Sequence, residues 1–426
     1  MRRRTAVALA VLLVALVGTA VLALGAAGPS DRRLVERWAS DATADTPGNH
    51  HGPAVASVGG RPVVFAPLNG LPNTSTCRLT ALDATTGSAE WRYGVRPSNC
   101  TVHAVADPTV ADYDGDGTTE VLTATTGNEV VAANARTGAV ETRFALDHYG
   151  YTRPVVADLL GDAKKEVVAA DVTGSVHVFR ADGSTAWSRN LSGYTWGQPA
   201  VADFDADGAP ELVAGFDVGQ LHLFERDGTA AWPAPKRFDT SITWMTTGQA
   251  DDDPAVEVVV AGADGTVAAV DGRTKQTEWR HDFGKFAAVH AFGDADDDGQ
   301  SEVYATARDG TLRSIGADDG RVEWTTTLTS EDVPMTPPPT LGDPDGDGER
   351  ELVAAANDGT VAVVDPATGS VQGSYDRQQS ILTRPRLADL DGDGDDEVLV
   401  TYAYGRVVAL DYARCDATDG LGCVFG

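Results

Sequence analysis

The chain has 426 residues, and its 63 Asp and Glu against 33 Lys and Arg give a formal net charge of −30. So negative a chain repels phosphate backbones and anionic headgroups, which excludes nucleic acid and anionic membrane surfaces as partners of the folded body. Asp outnumbers Glu 47 to 16 and only 5 basic residues are Lys. Self-repulsion at this charge is screened in molar salt, where the Debye length falls to about 3 Å.

An apolar segment follows directly after three arginines at the N-terminus. The run from 5 to 30 carries no charge and is apolar from 6 to 27. The apolar run from 6 to 27 is long for the core of a signal peptide and just long enough to span a bilayer. The three arginines keep the N-terminal side of this run in the cytoplasm. We therefore predict a signal peptide or a signal-anchor transmembrane segment over 1–30. The rest of the chain is then extracytoplasmic, either anchored at its N-terminus or secreted, and touches the membrane only through this segment.

A repeat of 45 to 49 residues runs through the rest of the chain. It is marked by a Glu that opens a short apolar run, at positions 120, 166, 211, 257, 302, 351 and 397. Each unit has four short runs rich in β-branched residues, separated by Gly turns and without helical periodicity, which is typical of a propeller blade. We predict an all-β fold over 31–412, an eight-bladed β-propeller with blades of four antiparallel strands, and seven blades as the alternative. The first strands of the eight units are predicted near Pro53, Pro108, Pro154, Pro199, Met245, His290, Pro339 and Pro385.

The two ends of the chain are predicted to close the ring together. The eighth unit stops after its third strand, 406–411, while the segment 33–41 has no blade of its own. That segment is similar to the fourth-strand segment 320–328, and Trp38 precedes the next unit by the same spacing as Trp324. An N-terminal strand that completes the last blade would remove an exposed sheet edge.

Five acidic loops recur in one register, at 112–120, 203–211, 294–302, 343–351 and 389–397. Each has carboxylates at positions 1, 3, 5 and 9 and Gly at position 6, which lets the chain turn sharply enough for the odd-numbered side chains to converge on a hard cation. Solvated acidic turns are the alternative, but five copies in one register favour calcium, with about five sites. The predicted ligand positions 1, 3, 5, 7 and 9 are Asp112, Asp114, Asp116, Thr118 and Glu120; Asp203, Asp205, Asp207, Ala209 and Glu211; Asp294, Asp296, Asp298, Gln300 and Glu302; Asp343, Asp345, Asp347, Glu349 and Glu351; and Asp389, Asp391, Asp393, Asp395 and Glu397.

Two further units keep the closing Glu but have lost ligands. In 158–166, Leu160 and Ala163 replace an acid and the Gly, and in 249–257 the corresponding first and sixth positions are Gln249 and Pro254. The apolar strand patterns persist in these units. We therefore interpret the metal as a local stabiliser of the loop that binds it, and not as a requirement for folding of the blade.

Four cysteines suit an extracytoplasmic protein. Their even number predicts two disulfides, most simply Cys77–Cys100 and Cys415–Cys423, although four cysteines allow three pairings. The second pair would close a loop in the C-terminal tail, 413–426.

Three resemblances to known proteins add to the predicted fold, metal sites and location. The strand–DxDxDGxxE–strand unit resembles the FG-GAP and VCBS repeats of integrin α-chain propellers and secreted microbial proteins. The stretch 81–91, with weaker echoes at 269–279 and 363–373, is similar to the tryptophan-docking repeat of quinoprotein-type (PQQ-like) propellers, and the composition resembles that of haloarchaeal proteins. The docking position holds Trp38, Trp91, Trp187, Trp232, Trp279 and Trp324, while Thr142 and Gly373 depart from it.

The FG-GAP resemblance implies that the metal loops lie on one face and the blade-to-blade connectors on the other. The connectors carry aromatic, His and Arg side chains that suit a saccharide, a carboxylate or a protein loop. Packing along the channel is the alternative. Besides His50, His51 and Tyr149, the predicted ligand-face residues are His103, His148, Tyr151, Arg153, Tyr194, Trp196, Trp244, His290, Arg384 and Arg386.

The sequence contains no catalytic signature. There is no vicinal cysteine pair, CxxCH, HExxH or Ser-His-Asp order, so we expect no enzyme and no organic cofactor. The predicted function is a non-catalytic binding, adhesion or scaffold module at the cell surface, with a protein or saccharide ligand. The alternative is a propeller enzyme, either a quinoprotein-type dehydrogenase or a polysaccharide lyase.

Overall fold

The computed structural model describes residues 32–44, 46–251, 253–415 and 423–424. In these residues it forms eight sheets of antiparallel strands arranged in a ring, with a single 3₁₀ turn, Pro97–Asn99, as the helical element. The eight-bladed all-β prediction is confirmed, and the seven-bladed alternative is wrong. The first strands of neighbouring blades contact one another, so they lie nearest the axis.

Each blade is built of four strands that follow one another from the axis outward. Blades 1 to 4 consist of β2 (Ala54–Val58), β3 (Arg61–Leu68), β4 (Arg78–Asp83) and β5 (Ala89–Gly94); β6 (Thr109–Ala111), β7 (Glu120–Thr125), β8 (Glu129–Asn134) and β9 (Val140–Ala145); β10 (Val155–Ala157), β11 (Glu166–Ala170), β12 (Ser175–Arg180) and β13 (Thr185–Asn190); and β14 (Ala200–Ala202), β15 (Glu211–Gly215), β16 (Gln220–Phe224) and β17 (Lys236–Arg237). Blades 5 to 8 consist of β18 (Ile242–Gly248), β19 (Glu257–Gly262), β20 (Thr266–Val270) and β21 (Thr277–Asp282); β22 (Ala288–Gly293), β23 (Glu302–Thr306), β24 (Thr311–Gly316) and β25 (Val322–Thr327); β26 (Thr340–Gly342), β27 (Glu351–Ala355), β28 (Thr360–Val364) and β29 (Val371–Asp376); and β30 (Arg386–Ala388), β31 (Glu397–Thr401), β32 (Val407–Cys415) and β1 (Arg32–Ala39).

The N-terminal strand closes the ring as predicted. β1 pairs antiparallel with β32, from Arg32 opposite Arg414 to Ala39 opposite Val408, and forms the outer strand of blade 8. β32 continues to Cys415, beyond the predicted end at 411, and pairs there with β33 (Cys423–Val424). The backbone places Cys415 opposite Cys423, while the side chains of this pair lie outside the described residues.

The hydrophobic core is divided into clusters that lie between neighbouring blades. Val63 and Phe65 of blade 1, for example, pack with Val121 and Ala133 of blade 2. Successive side chains of a strand point to opposite faces of the sheet, and each face meets a neighbouring blade. The second and third strands are therefore buried on both faces, which explains their continuous apolar runs, such as ELVAA in β27.

Six tryptophans on the outer strands or segments dock onto the next blade. Each indole Nε1 donates a hydrogen bond of 2.7–3.0 Å to a backbone carbonyl at the turn between the third and fourth strands of that blade, as in Trp279 to Ala317. In five of these pairs a glycine with positive φ faces the indole, because a Cβ there would collide with the ring. These glycines are Gly87, Gly138, Gly228, Gly320 and Gly369.

The Cys77–Cys100 disulfide is present, with the two Cα atoms 5.4 Å apart, and it joins the residue just before β4 to the connector that follows blade 1. The predicted signal or anchor segment over 1–30 lies outside the described residues. Among the residues that are described, no helix has the length and apolarity to cross a membrane.

Candidate functional site

Antiparallel order divides the connections of the ring between two faces. The loops from the first to the second strand and from the third to the fourth share one face, and the turns from the second to the third strand share the other with the blade-to-blade connectors. All five acidic loops join a first strand to a second, for example β14 to β15. We call the two sides the acidic face and the connector face.

Position 1 of the acidic loops organises the backbone. Asp112 accepts hydrogen bonds from the N–H groups of Gly115 (2.7 Å) and Gly117 (3.1 Å), and Asp203 and Asp343 bind their own loops in a similar way. Gly117, at position 6, has φ +86°, a conformation that Gly adopts without strain. The predicted position-7 residues Thr118, Ala209, Gln300, Glu349 and Asp395 donate their N–H groups to the carboxylate at position 5.

The carboxylates of these loops converge. Carboxylate oxygens from Asp203, Asp205, Asp207 and Glu211 lie within 4.8 Å of one another, and those of Asp112, Asp114 and Glu120 form a smaller group of three. Oxygen-only donor sets of this kind suit a hard cation such as calcium.

The Glu at position 9 is the buried member of each group. One oxygen of Glu211 accepts the N–H of Phe204 at 2.8 Å, while the other is buried without a hydrogen-bond partner, and Glu120 and Glu302 share this arrangement. Burial, together with the neighbouring aspartates, raises the pKa of these three carboxyl groups to about 7. A calcium ion would satisfy the orphaned oxygen and neutralise the local charge, so the residues of the loops fit the metal.

The fifth loop differs because an arginine already pairs with two of its predicted ligands, whereas in the fourth loop Arg32 of β1 pairs only with Asp345. Arg37 of β1 donates to Glu397 at 2.9 Å and to Asp411 at 3.0 Å, and it also pairs with Asp391. Two of the predicted calcium ligands of this loop are therefore bound to a side chain of the closing strand.

The two loops with lost ligands keep part of the arrangement of the complete loops. In the loop 158–166, both oxygens of Asp158 accept backbone N–H groups and Ala163 has φ +67° in place of the usual Gly. In the other, the Gln249 side-chain amide donates to the carbonyl oxygens of Asp251 and Asp253 and takes the place of an acidic ligand.

The connector face holds a cavity of about 860 Å³. Connectors from several blades line it, because each leads back to a first strand beside the axis. Of the ten predicted ligand-face residues, the nine that line the cavity are His103, Tyr151, Arg153, Tyr194, Trp196, Trp244, His290, Arg384 and Arg386. His148, the tenth, does not line the cavity: its N–H donates to Asp171 at 3.1 Å and its side chain is exposed.

Aromatic rings form a row along the cavity wall. The ring centroids of Tyr151 and Tyr194 are 5.4 Å apart, those of Tyr194 and Trp196 are 5.9 Å apart, and those of Trp196 and Phe286 are 6.4 Å apart. Trp196 is 38% exposed, although large apolar side chains are normally covered. The row offers flat apolar surfaces to a ligand.

Charged groups lie beside these rings. Asp107 accepts hydrogen bonds from His51 (3.0 Å), Gly52 N–H (3.0 Å) and Arg386 (3.3 Å). Burial opposes its ionisation, but the hydrogen bond from His51 and the charge of Arg386 hold the pKa of Asp107 below its ordinary value. Burial lowers the pKa of Arg386 to about 10 and that of His290 to about 3. At neutral pH the cavity therefore contains a cationic Arg386 and a neutral His290.

The sequence interpretation missed several cavity residues, notably Asp107 and Gln198. The amide side chain of Gln198 bonds to both backbone groups of Arg153, at 3.1 and 2.8 Å, and so joins two connectors. A sequence signal could have identified Asp107 and Gln198, since each of them, like the predicted Arg153, directly precedes the proline that marks a first strand.

Comparisons with known proteins agree with this architecture. Residues 263–418 match the family model described as outer membrane protein assembly factor BamB, and residues 158–214 match the FG-GAP-like repeat, so the predicted PQQ-like and FG-GAP resemblances are confirmed. Among curated proteins there is no match.

Solved structures show the same fold at low sequence identity. BamB from Moraxella catarrhalis is 15% identical with a TM-score of 0.60, covering 90% of this chain and 99% of its own. The V. cholerae biofilm matrix protein Bap1 is 13% identical with a TM-score of 0.67, covering 90% and 91%. The computationally designed Ika8 protein is 18% identical with a TM-score of 0.60, covering 88% and 99%.

Proposed function

We propose that this protein is a calcium-stapled propeller that binds an acidic saccharide, without catalysis, in the cavity of its connector face. The proposal rests on one observation: a row of aromatic rings and three arginines, Arg153, Arg384 and Arg386, surround one cavity of about 860 Å³. Aromatic faces stack on sugar rings, and guanidinium groups bind carboxylates in a planar, bidentate geometry. In a chain of net charge −30, such a site concentrates cationic groups where an acidic ligand would lie.

Calcium belongs to the acidic face in this proposal. The first four complete loops would each hold one ion through the carboxylates at positions 1, 3, 5 and 9. The bound ion would neutralise the loop and stabilise the folded blade, and it would leave the connector face free for the ligand.

We further propose that the propeller works outside the cytoplasm, at high salt. The hydrophobic segment predicted over 1–30 supports export, and the Asp-rich composition supports a halophilic environment. The names of two similar propellers also support a location outside the cytoplasm: one is an outer membrane protein assembly factor and the other is a biofilm matrix protein.

Binding of uronate-containing polysaccharides to the purified protein, in molar KCl with calcium, tests the proposal. We expect binding to carboxylated glycans and, for Trp196→Ala, an affinity at least about fivefold lower, since one stacked ring contributes about 1–3 kcal/mol. Tyr404→Ala is the matched control, because Tyr404 is also an exposed aromatic (41%) but lies outside the cavity. The proposal fails if no carboxylated glycan binds, or if Trp196→Ala binds as well as the unchanged protein; retention of a peptide in place of a glycan would point to a protein ligand.

One observation favours an enzyme as the second candidate. Tyr151, His290 and Arg386 line the same cavity, and these are groups that could remove a proton beside a uronate carboxylate whose charge the arginine neutralises. Incubation with the bound polysaccharide distinguishes the two functions: a polysaccharide lyase would release unsaturated sugar products, whereas the binding module leaves the chain intact.

A further inference from the structure

Three imidazoles meet at one side of the axial cavity. His50 and His51 lie on the segment that joins β1 to β2, and His103 lies on the connector between blades 1 and 2. One ring nitrogen from each histidine lies within 4.8 Å of the other two. Tyr151 packs against all three rings, at centroid distances of 5.1–5.5 Å.

Hydrogen bonds outside the cluster fix which nitrogens carry protons. Nδ1 of His50 lies 2.7 Å from the carbonyl oxygen of Gly48, so it donates and leaves Nε2 with a lone pair. Nδ1 of His51 donates to the Asp107 carboxylate at 3.0 Å and also leaves Nε2 with a lone pair. A histidine oriented by a carboxylate or carbonyl on its far nitrogen is the arrangement found around metal ions.

The lone pair of His51 has no partner. His51 is 3% exposed, and its Nε2 is buried without a hydrogen-bond partner in the described part of the chain, although the residue lines the cavity. Leaving a buried acceptor unsatisfied is costly, so the arrangement calls for a ligand at this point.

We propose that His50, His51 and His103 bind a first-row transition metal ion of the Zn²⁺ class, with Asp107 as the residue that positions His51. Imidazole nitrogens suit Zn²⁺, Ni²⁺ and Cu²⁺ and not the hard calcium ion of the acidic face. Three protein ligands leave the fourth position of a tetrahedral ion open to the cavity, as in sites that hold a water or a substrate. The inference does not depend on the saccharide proposed above.

The geometry needs only a small adjustment. Nδ1 of His103 lies 2.9 Å from Nε2 of His50, whereas ligand nitrogens around tetrahedral zinc are about 3.3 Å apart. Without metal, Nδ1 of His103 donates to the His50 lone pair. When the ion binds, the proton of His103 moves to its Nε2 and Nδ1 becomes the ligand, so the ring stays neutral.

Metal dialysis on full-length protein without a histidine tag tests the proposal. The protein is stripped with chelator, saturated with calcium to fill the acidic loops, and dialysed against Zn²⁺ or Co²⁺. We expect about one Zn²⁺ per chain, and a Co²⁺ absorption spectrum of tetrahedral type. His51→Ala and His103→Ala should lower the affinity at least tenfold, and Asp107→Asn about 10–100-fold. His222→Ala, on the third strand of blade 4 and outside the cluster, should leave the affinity unchanged.

Two results would overturn the site. The first is the absence of Zn²⁺ binding by the calcium-saturated, unchanged protein. The second is a Co²⁺ spectrum of octahedral type that His51→Ala does not alter, which would mean adventitious binding to carboxylates only. The first result comes from the unchanged protein alone, so it decides the question even if a substitution impairs folding.

Discussion

The contact between an indole ring and a glycine joins one blade to the next. At the turn that follows β24, Gly320 has φ +71°, and a Cβ there would lie 2.5 Å from the Cβ and Cγ of Trp279. The same indole donates to the Ala317 carbonyl at 2.7 Å. Both the space and the backbone conformation at this position therefore demand glycine.

Gly320→Ala should destabilise the propeller by about 2–4 kcal/mol, because it adds overpacking against the indole to the cost of a left-handed residue. Gly284→Ala is the matched control, since Gly284 also has positive φ (+92°) but nothing within 4 Å of the added methyl. It should cost only about 1 kcal/mol. Chemical denaturation of both variants measures the difference, and equal losses would show that the indole contact contributes nothing.

His290 gives the stability a pH dependence. Burial lowers the pKa of His290 from 6.5 to about 3 in the folded state, and Arg386 and Arg153 add to the shift. Between these values the unfolded chain binds a proton that the folded chain does not, so this contribution to stability falls as the pH drops below 6.5. Linkage limits the loss between pH 7 and pH 5 to about 2 kcal/mol. Denaturation at both pH values should show a smaller loss for His290→Gln; an unchanged loss would mean that the site is solvated.

At the scale of elements, the closing strand and the fifth acidic loop act as one unit. Arg37 of β1 pairs with Glu397, which is 3% exposed, and with Asp391 of that loop. A guanidinium that pairs with two ligand positions, the buried Glu included, supplies the positive charge that the other four loops would obtain from calcium, since Arg32 reaches only one ligand of the fourth loop, Asp345. We therefore expect about four strong calcium sites instead of the five that the sequence predicts.

Arg37→Gln should raise the calcium stoichiometry from about four to about five, because it frees the carboxylates of the fifth loop. Without calcium the variant should lose about 1–3 kcal/mol, since a buried carboxylate loses its partner at a partly exposed pair. Arg33→Gln, on the same strand and exposed, should change neither quantity. Isothermal titration calorimetry gives the stoichiometries, and an unchanged value for Arg37→Gln would contradict this role of the arginine.

The elements could be predicted because their signals are local. A proline before the first strand, a Glu at the start of the second and a tryptophan on the fourth recur at a fixed period, and Trp38 showed where the N-terminal strand belongs. The pairing of Arg37 with Glu397 could not be predicted, because the two residues are 360 positions apart in the sequence and come into contact only when the ring closes. Asp107 was missed because it is one of 63 acidic residues, and its place directly before the proline of a first strand was not interpreted as a position beside the axis.

At the scale of the whole molecule, two repulsions oppose the folded ring. The net charge of −30 acts over long distances and is screened by monovalent salt, whereas carboxylates in contact within one loop still repel at a Debye length of about 3 Å. Bound calcium would remove the second repulsion. At 10 mM, an ion that binds with a dissociation constant of about 0.1–1 mM would stabilise the folded state by about 1.4–2.7 kcal/mol per site.

The most direct measurement is thermal unfolding in molar KCl, with and without 10 mM calcium. It compares the unchanged protein with a variant that lacks the position-5 carboxylates, in which Asp116, Asp207, Asp298, Asp347 and Asp393 are replaced by alanine. We predict that molar KCl keeps both proteins folded, and that calcium raises the Tm of the unchanged protein by several degrees and leaves that of the variant unchanged. An equal rise of Tm in both proteins would show that the loops are ordinary acidic turns and would contradict the calcium-stapled propeller.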